Sequence, residues 1–150
     1  MSTITNRVQA DWSEGVRFRV ESASGQRADV DGDKKVGLSP MEMLLGSLVT
    51  CMGADVATIL KKMRVDLRAL TIEAAGERNP ESPKYYRRVD LTFSVVGDVS
   101  PDQMERAIQL SREKYCGSLH SLRPDLVVEH KVVFREPKTR TSPEVLGGES

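Results

Sequence analysis

The stretch from Ser39 to Arg64, SPMEMLLGSLVTCMGADVATILKKMR, constrains the fold more than any other part of the chain. It is apolar on most sides, and as one helix it spans roughly 37 Å, about the width of a small domain. Ser39 suits the N-cap, and Pro40 sits at the first helical position, where its missing N–H costs nothing. Glu42 closes an S-x-x-E capping box, and Lys61, Lys62 and Arg64 place cations where the helix dipole favours them. A membrane span is the weaker reading, because Glu42, Asp55 and two glycines interrupt the apolar run.

The faces of this helix differ. At about 100° per residue, Met41, Leu45, Leu48, Val49, Met52, Val56, Ile59 and Met63 gather on one broad apolar face. Gly46, Thr50, Gly53 and Ala57 form a stripe of small residues, and each glycine costs helix propensity of about 1 kcal/mol. Such a stripe suits close approach of another backbone. A helix this apolar is hard to cover in 150 residues, so the pattern predicts a homodimer whose central helices meet near Gly46 and Gly53. The third face carries Ser47, Cys51, Asp55 and Thr58, which gives Cys51 polar company. A cysteine in an apolar helix is more often inert core than nucleophile, so position alone does not assign it chemistry.

The charges cancel, 22 basic against 22 acidic, which favours neither nucleic acid nor an anionic membrane as partner. No apolar h-region opens the chain. Two cysteines without a secretory signal suit a reducing, cytoplasmic setting, where a disulfide is transient and chemical. Cys116 and His120 lie one helical turn apart, but two ligands are half a metal site, and no metal or other cofactor is expected.

Strands are expected weakly over 3–11, then over Val16–Glu21 and, after the Ser22–Gly25 turn, over Gln26–Val30. Asp31-Gly32-Asp33 resembles the start of a calcium loop, but the downstream ligands are missing and it reads as a turn. Leu70, Ile72 and Ala74 alternate after the helix; Val89, Leu91, Phe93 and Val95 alternate more cleanly and complete a hairpin. Ser100-Pro101-Asp102-Gln103 repeats the helix-start grammar and opens a second helix to about Lys114, with Met104, Ala107, Ile108 and Ser111 inward. A short turn at Ser118–Leu122 and a strand over Leu126–Phe134 follow. The sum is an α+β domain over 1–135, with about six largely antiparallel strands and two main helices, and a polar tail over 136–150.

Cys116 stands at a helix break, where amide N–H groups lower a thiol pKa. Two cysteines remote in sequence and close in space would suit a redox cycle: one becomes a sulfenic acid, the other condenses with it, and an outside dithiol reduces the disulfide. Spacing does not give distance, so two separate core residues remain the alternative.

Ser39 to Leu45, Cys51, Asp55-Val56, Ile59 to Lys62, Gly76-Glu77-Arg78, the Val89–Gly97 strand and Lys114-Tyr115-Cys116 resemble the OsmC/Ohr family, the osmotically inducible and organic-hydroperoxide-resistance proteins. Glu21-Ser22-Ala23-Ser24-Gly25 makes the resemblance strongest to the less characterised OsmC-like branch. The resemblance implies an intertwined α+β homodimer with sheets around a long central helix, and thiol-dependent reduction of organic hydroperoxides. It implies Cys51 as peroxidatic thiolate, Cys116 as resolving thiol, a lipoyl- or thioredoxin-type dithiol as reductant, and no cofactor. The family's helix-opening glutamate, which clamps an arginine beside the sulfur, falls here on Met41; Glu42 follows it and lies across the helix from Cys51. Glu42 is therefore either catalytic toward a partner chain or only the cap. Asp55 by itself would disfavour a Cys51 thiolate, so the site calls for a cation, with Arg17, Arg19 and Arg27 available and Arg27 nearest the family's position. The alternative to an enzyme is a dimeric small-molecule binding or redox-responsive protein that keeps the fold with little peroxidase activity.

Overall fold

The computed structural model describes residues 2–137, so most of the 136–150 tail lies outside the described residues. Three strands, β1 (Val8–Glu14), β2 (Arg17–Ser22) and β3 (Arg27–Asp31), precede the long helix α1 (Pro40–Lys62). Two longer strands follow, β4 (Asp66–Arg78) and β5 (Tyr86–Asp98). Then come α2 (Pro101–Leu110), a π-helical turn (Ser111–Tyr115), the single-turn α3 (Gly117–His120) and the last strand β6 (Val127–Phe134). The strands make two three-stranded sheets, β1-β2-β3 and β4-β5-β6. The described residues fall into two compact units, with the boundary inside α1 after Leu48.

In the first unit β1, β2 and β3 pair as an antiparallel meander. The strand expected over 3–11 instead runs Val8–Glu14. Its register follows from a tight turn at Gly15, whose φ of +54° suits glycine, and not from alternation of its own. The Asp31 loop is a turn, as the sequence implied. The buried Asp31 carboxylate accepts the amides of Asp33 at 2.8 Å, Lys35 at 3.0 Å and Val36 at 3.1 Å, with Arg17 Nε at 3.5 Å. Burial acts to raise its pKa, but the amides and Arg17 together hold it below the usual carboxylate range.

In the second unit β4 and β5 pair antiparallel, and β6 adds to β5 in parallel. A parallel neighbour needs a crossover, and α2, the π-turn and α3 are that crossover. Val89, Leu91, Phe93 and Val95 on β5 are buried, and so are Met104, Ala107, Ile108 and Ser111 on the crossover. The capping box Ser100–Gln103 starts α2 as expected. The helix does not run to Lys114 in regular form: the α-helix stops at Leu110, and the chain passes into the π-turn.

α1 is long and apolar enough to cross a membrane by length and composition. Its Leu48, Met52, Val56 and Leu60, spaced at i and i+4, are fully buried in the fold, as in a core helix. The small-residue stripe has an explanation within one chain at Gly53. A Cβ there would lie 3.0 Å from Ile72 Cδ1 of β4, so the glycine makes room for that side chain.

Phe93 is the largest fully buried side chain among the described residues. Phe93→Ala is expected to lower unfolding stability by about 3–5 kcal/mol through lost burial and a residual cavity, read as a lower urea midpoint at unchanged m-value.

Candidate functional site

Cys51 lies mid-way along α1, with Asp55 one turn further on the same face. Cys116 ends the π-turn and caps α3, where its sulfur accepts the Leu119 amide at 3.3 Å. The Cys51 and Cys116 sulfurs and a carboxylate oxygen of Asp55 all lie within 4.8 Å of one another. Both cysteines are free thiols; Cys51 is half-buried and Cys116 fully buried.

The crossover is tied down on both sides. Ser111 Oγ donates to Asp55 Oδ2 at 2.8 Å, which joins the start of the π-turn to α1. The next residue, Arg112, donates to His130 Nδ1 and to the Val128 carbonyl, each at 2.8 Å, which joins the turn to β6. His130 Nδ1 is then an acceptor, and its Nε2–H is left to donate to Glu105 Oε1 at 2.9 Å. His120 Nε2 donates to the Arg112 carbonyl at 2.8 Å. π-helical turns interrupt α-helices most often at functional sites.

The two thiols are driven apart. The Ser118 amide holds the Cys51 thiol below its ordinary pKa against the opposing effect of burial, with help from the Ser118 hydroxyl, the Cys116 thiol and the Gly117 amide. Burial pushes the Cys116 thiol up to about 11, and the Cys51 sulfur and the Asp55 carboxylate add to the rise against the Leu119 amide. Between the two sulfurs, Cys51 takes the negative charge and Cys116 keeps the proton and donates it.

This reverses one expectation and gives Cys51 a source of acidity that a second one did not include. The amides at the start of α3 were expected to activate Cys116, the residue that precedes them; two of them, from Gly117 and Ser118, act on Cys51 instead. Asp55 was expected to work against a Cys51 thiolate and to demand a cation. Its charge bears on Cys116, and neutral donors lower the Cys51 pKa. Arg27 Nε pairs with Glu21 Oε2 at 3.0 Å, and Arg27 is largely exposed. Glu42 accepts the Ser39 amide at 2.9 Å while Ser39 Oγ accepts the Glu42 amide at 3.1 Å, the reciprocal capping box, with Lys34 Nζ 3.9 Å from its carboxylate. Sequence reasoning missed Ser118 as the principal donor to Cys51, although Gly117-Ser118 directly after Cys116 was the available signal.

A family model described as OsmC-like protein matches residues 31–131. The chain belongs to the OsmC-like family. Protein YhfA of Escherichia coli is 35% identical over 126 residues, covering 83% of this chain and 94% of its own. A hypothetical protein from Aquifex aeolicus is similar in structure, with TM-score 0.82 and 30% identity over 91% of this chain and 100% of its own. At lower identity, 12%, the organic hydroperoxide resistance protein OsmC from Legionella pneumophila shares the fold with TM-score 0.63 over 89% of this chain and 99% of its own.

The asymmetry of the OsmC-like pair is measurable. In metal-free reduced protein, Cys51 is expected to react with iodoacetamide with a pH midpoint below that of an ordinary thiol, near 8.5. Cys116 is expected to stay protonated and unreactive until the pH nears about 11. Peptide mass spectrometry across a pH series reads both; equal midpoints would refute the unequal pair.

Proposed function

We propose that the protein is a thiol-dependent peroxidase that reduces organic hydroperoxides through a two-cysteine cycle. The observation that carries this reading is the approach of two unlike sulfurs, within 4.8 Å, on separate elements. The Cys51 thiolate attacks one oxygen of the O–O bond; the bond breaks, Cys51 becomes a sulfenic acid, and an alkoxide leaves. The Cys116 S–H, already aimed at Cys51, protonates the alkoxide, which is far more basic than a thiolate. The resulting Cys116 thiolate attacks the sulfenic sulfur and expels hydroxide, leaving a disulfide. An external dithiol of lipoyl or thioredoxin type returns both thiols by exchange. A high Cys116 pKa thus keeps its proton available until the leaving group needs it. Arg27 and Glu42 carry no step in this scheme.

We also propose a cytoplasmic homodimer. Trp12 is 65% exposed, and Phe18, Leu38 and Leu44 are exposed as well, which is apolar surface that a second copy would cover. Light scattering is expected to give twice the chain mass of 16.6 kDa.

The alternative reading, a dimeric binding or redox-responsive protein, is favoured by one observation: the arginine and glutamate that the family resemblance offered are engaged with Glu21 and Ser39. Turnover decides between them. With dihydrolipoamide as reductant, the protein is expected to consume cumene hydroperoxide, and Cys51→Ser to abolish consumption. Cys116→Ser is expected to stop the cycle at a sulfenic acid on Cys51, trapped by dimedone. Wild-type consumption no faster than that of Cys51→Ser would rule out the peroxidase.

A further inference from the structure

In the peroxidase scheme Asp55 makes and breaks no bond, although its carboxylate converges on both sulfurs. We propose that the reduced protein binds one thiophilic divalent cation, of the Zn²⁺ class, through Cys51 Sγ, Cys116 Sγ and a carboxylate oxygen of Asp55, with solvent as fourth ligand. Tetrahedral zinc with Zn–S near 2.3 Å and Zn–O near 2.1 Å requires donor separations of about 3.8 Å between sulfurs and about 3.6 Å between sulfur and oxygen. The three donor atoms already lie within 4.8 Å of one another, so about an ångström of side-chain adjustment closes the site.

The surroundings are those of a built site. Ser111 Oγ donates to Asp55 Oδ2 and supplies the outer hydrogen bond that ligating carboxylates require. The Leu119 amide donates to Cys116, and the Ser118 and Gly117 amides donate to Cys51, so each sulfur already has a backbone donor of the kind that supports a ligating thiolate, and the cation displaces the Cys116 proton on binding. Two thiolates select Zn²⁺ over Mg²⁺ or Ca²⁺, which take oxygen ligands. Binding exchanges the thiol protons for the metal, with no change of oxidation state. Because a disulfide consumes both sulfur donors, metal and disulfide exclude one another. A bound cation therefore occupies the nucleophile and shields the pair from oxidation.

The test needs no peroxide, so it stands or falls apart from the peroxidase reading. Reduced protein, stripped with a chelator under anaerobic conditions, is titrated with Co²⁺. Thiolate-to-cobalt charge-transfer absorption and the intense visible bands of tetrahedral cobalt are expected to saturate at one equivalent and to vanish on adding one equivalent of Zn²⁺. Cys51→Ser or Cys116→Ser is expected to lose about half of the charge-transfer intensity, since one of two thiolates remains. Asp55→Asn is expected to weaken Zn²⁺ binding by about tenfold or more, the scale on which a metal site's supporting groups act. Should a variant fail to fold, wild-type protein alkylated at Cys51 serves in its place, and with the adduct filling the site it is expected to show no cobalt spectrum. Absent charge-transfer absorption in the reduced wild type overturns the proposal. So does a spectrum that survives alkylation, or Zn²⁺ affinity that Asp55→Asn leaves unchanged.

Discussion

The unequal division of one proton between two sulfurs is the interaction on which the site depends. Cys51 sits half-buried on α1 and receives the Ser118 and Gly117 amides, while Cys116, fully buried at the end of the crossover, receives one amide and faces the Asp55 carboxylate. Neutral dipoles do here what a cation would do elsewhere. An amide hydrogen bond to an anion is short-ranged and directional, so this arrangement needs the α3 turn held in place to a fraction of an ångström.

That placement comes from the π-turn and its anchors. The crossover exists because β6 runs parallel to β5, and a parallel neighbour cannot be reached by a hairpin. Within the crossover, consecutive residues point to different supports: Ser111 to Asp55 on α1, and Arg112 to His130 and Val128 on β6. The His130 ring is itself oriented by Glu105 on α2 and packs edge-on against Phe93, with ring centroids 6.3 Å apart. The chain that carries Cys116 is therefore referenced to the same β5 core that the most regular strand pattern in the sequence provides. Packing of the core and geometry of the sulfurs are parts of one structure.

Asp55 connects the peroxidase reading to the metal reading. In the thiol pair it is an anion that helps keep Cys116 protonated; beside a divalent cation it is a third ligand. On the two proposals, the same three side chains would serve two chemistries that exclude one another, with the presence of a thiophilic cation deciding between them. The OsmC-like relatives share the fold.

Much of this was legible in the residues. The capping grammar at Ser39 and Ser100, the period-two run from Val89 to Val95 and the inward set Met104, Ala107, Ile108 and Ser111 are local signals, and local signals follow from steric and hydrogen-bonding rules within a few residues. Motif resemblance singled out Cys51 and Cys116 as the pair to watch. The convergence of their sulfurs, the donation from Ser118 to Cys51 and not to Cys116, the room Gly53 makes for Ile72, and the parallel entry of β6 were decided only by the tertiary structure. Each is a relation between positions far apart in the chain, set by how helix, crossover and sheet pack, and no pattern within a short window encodes a distance of that kind.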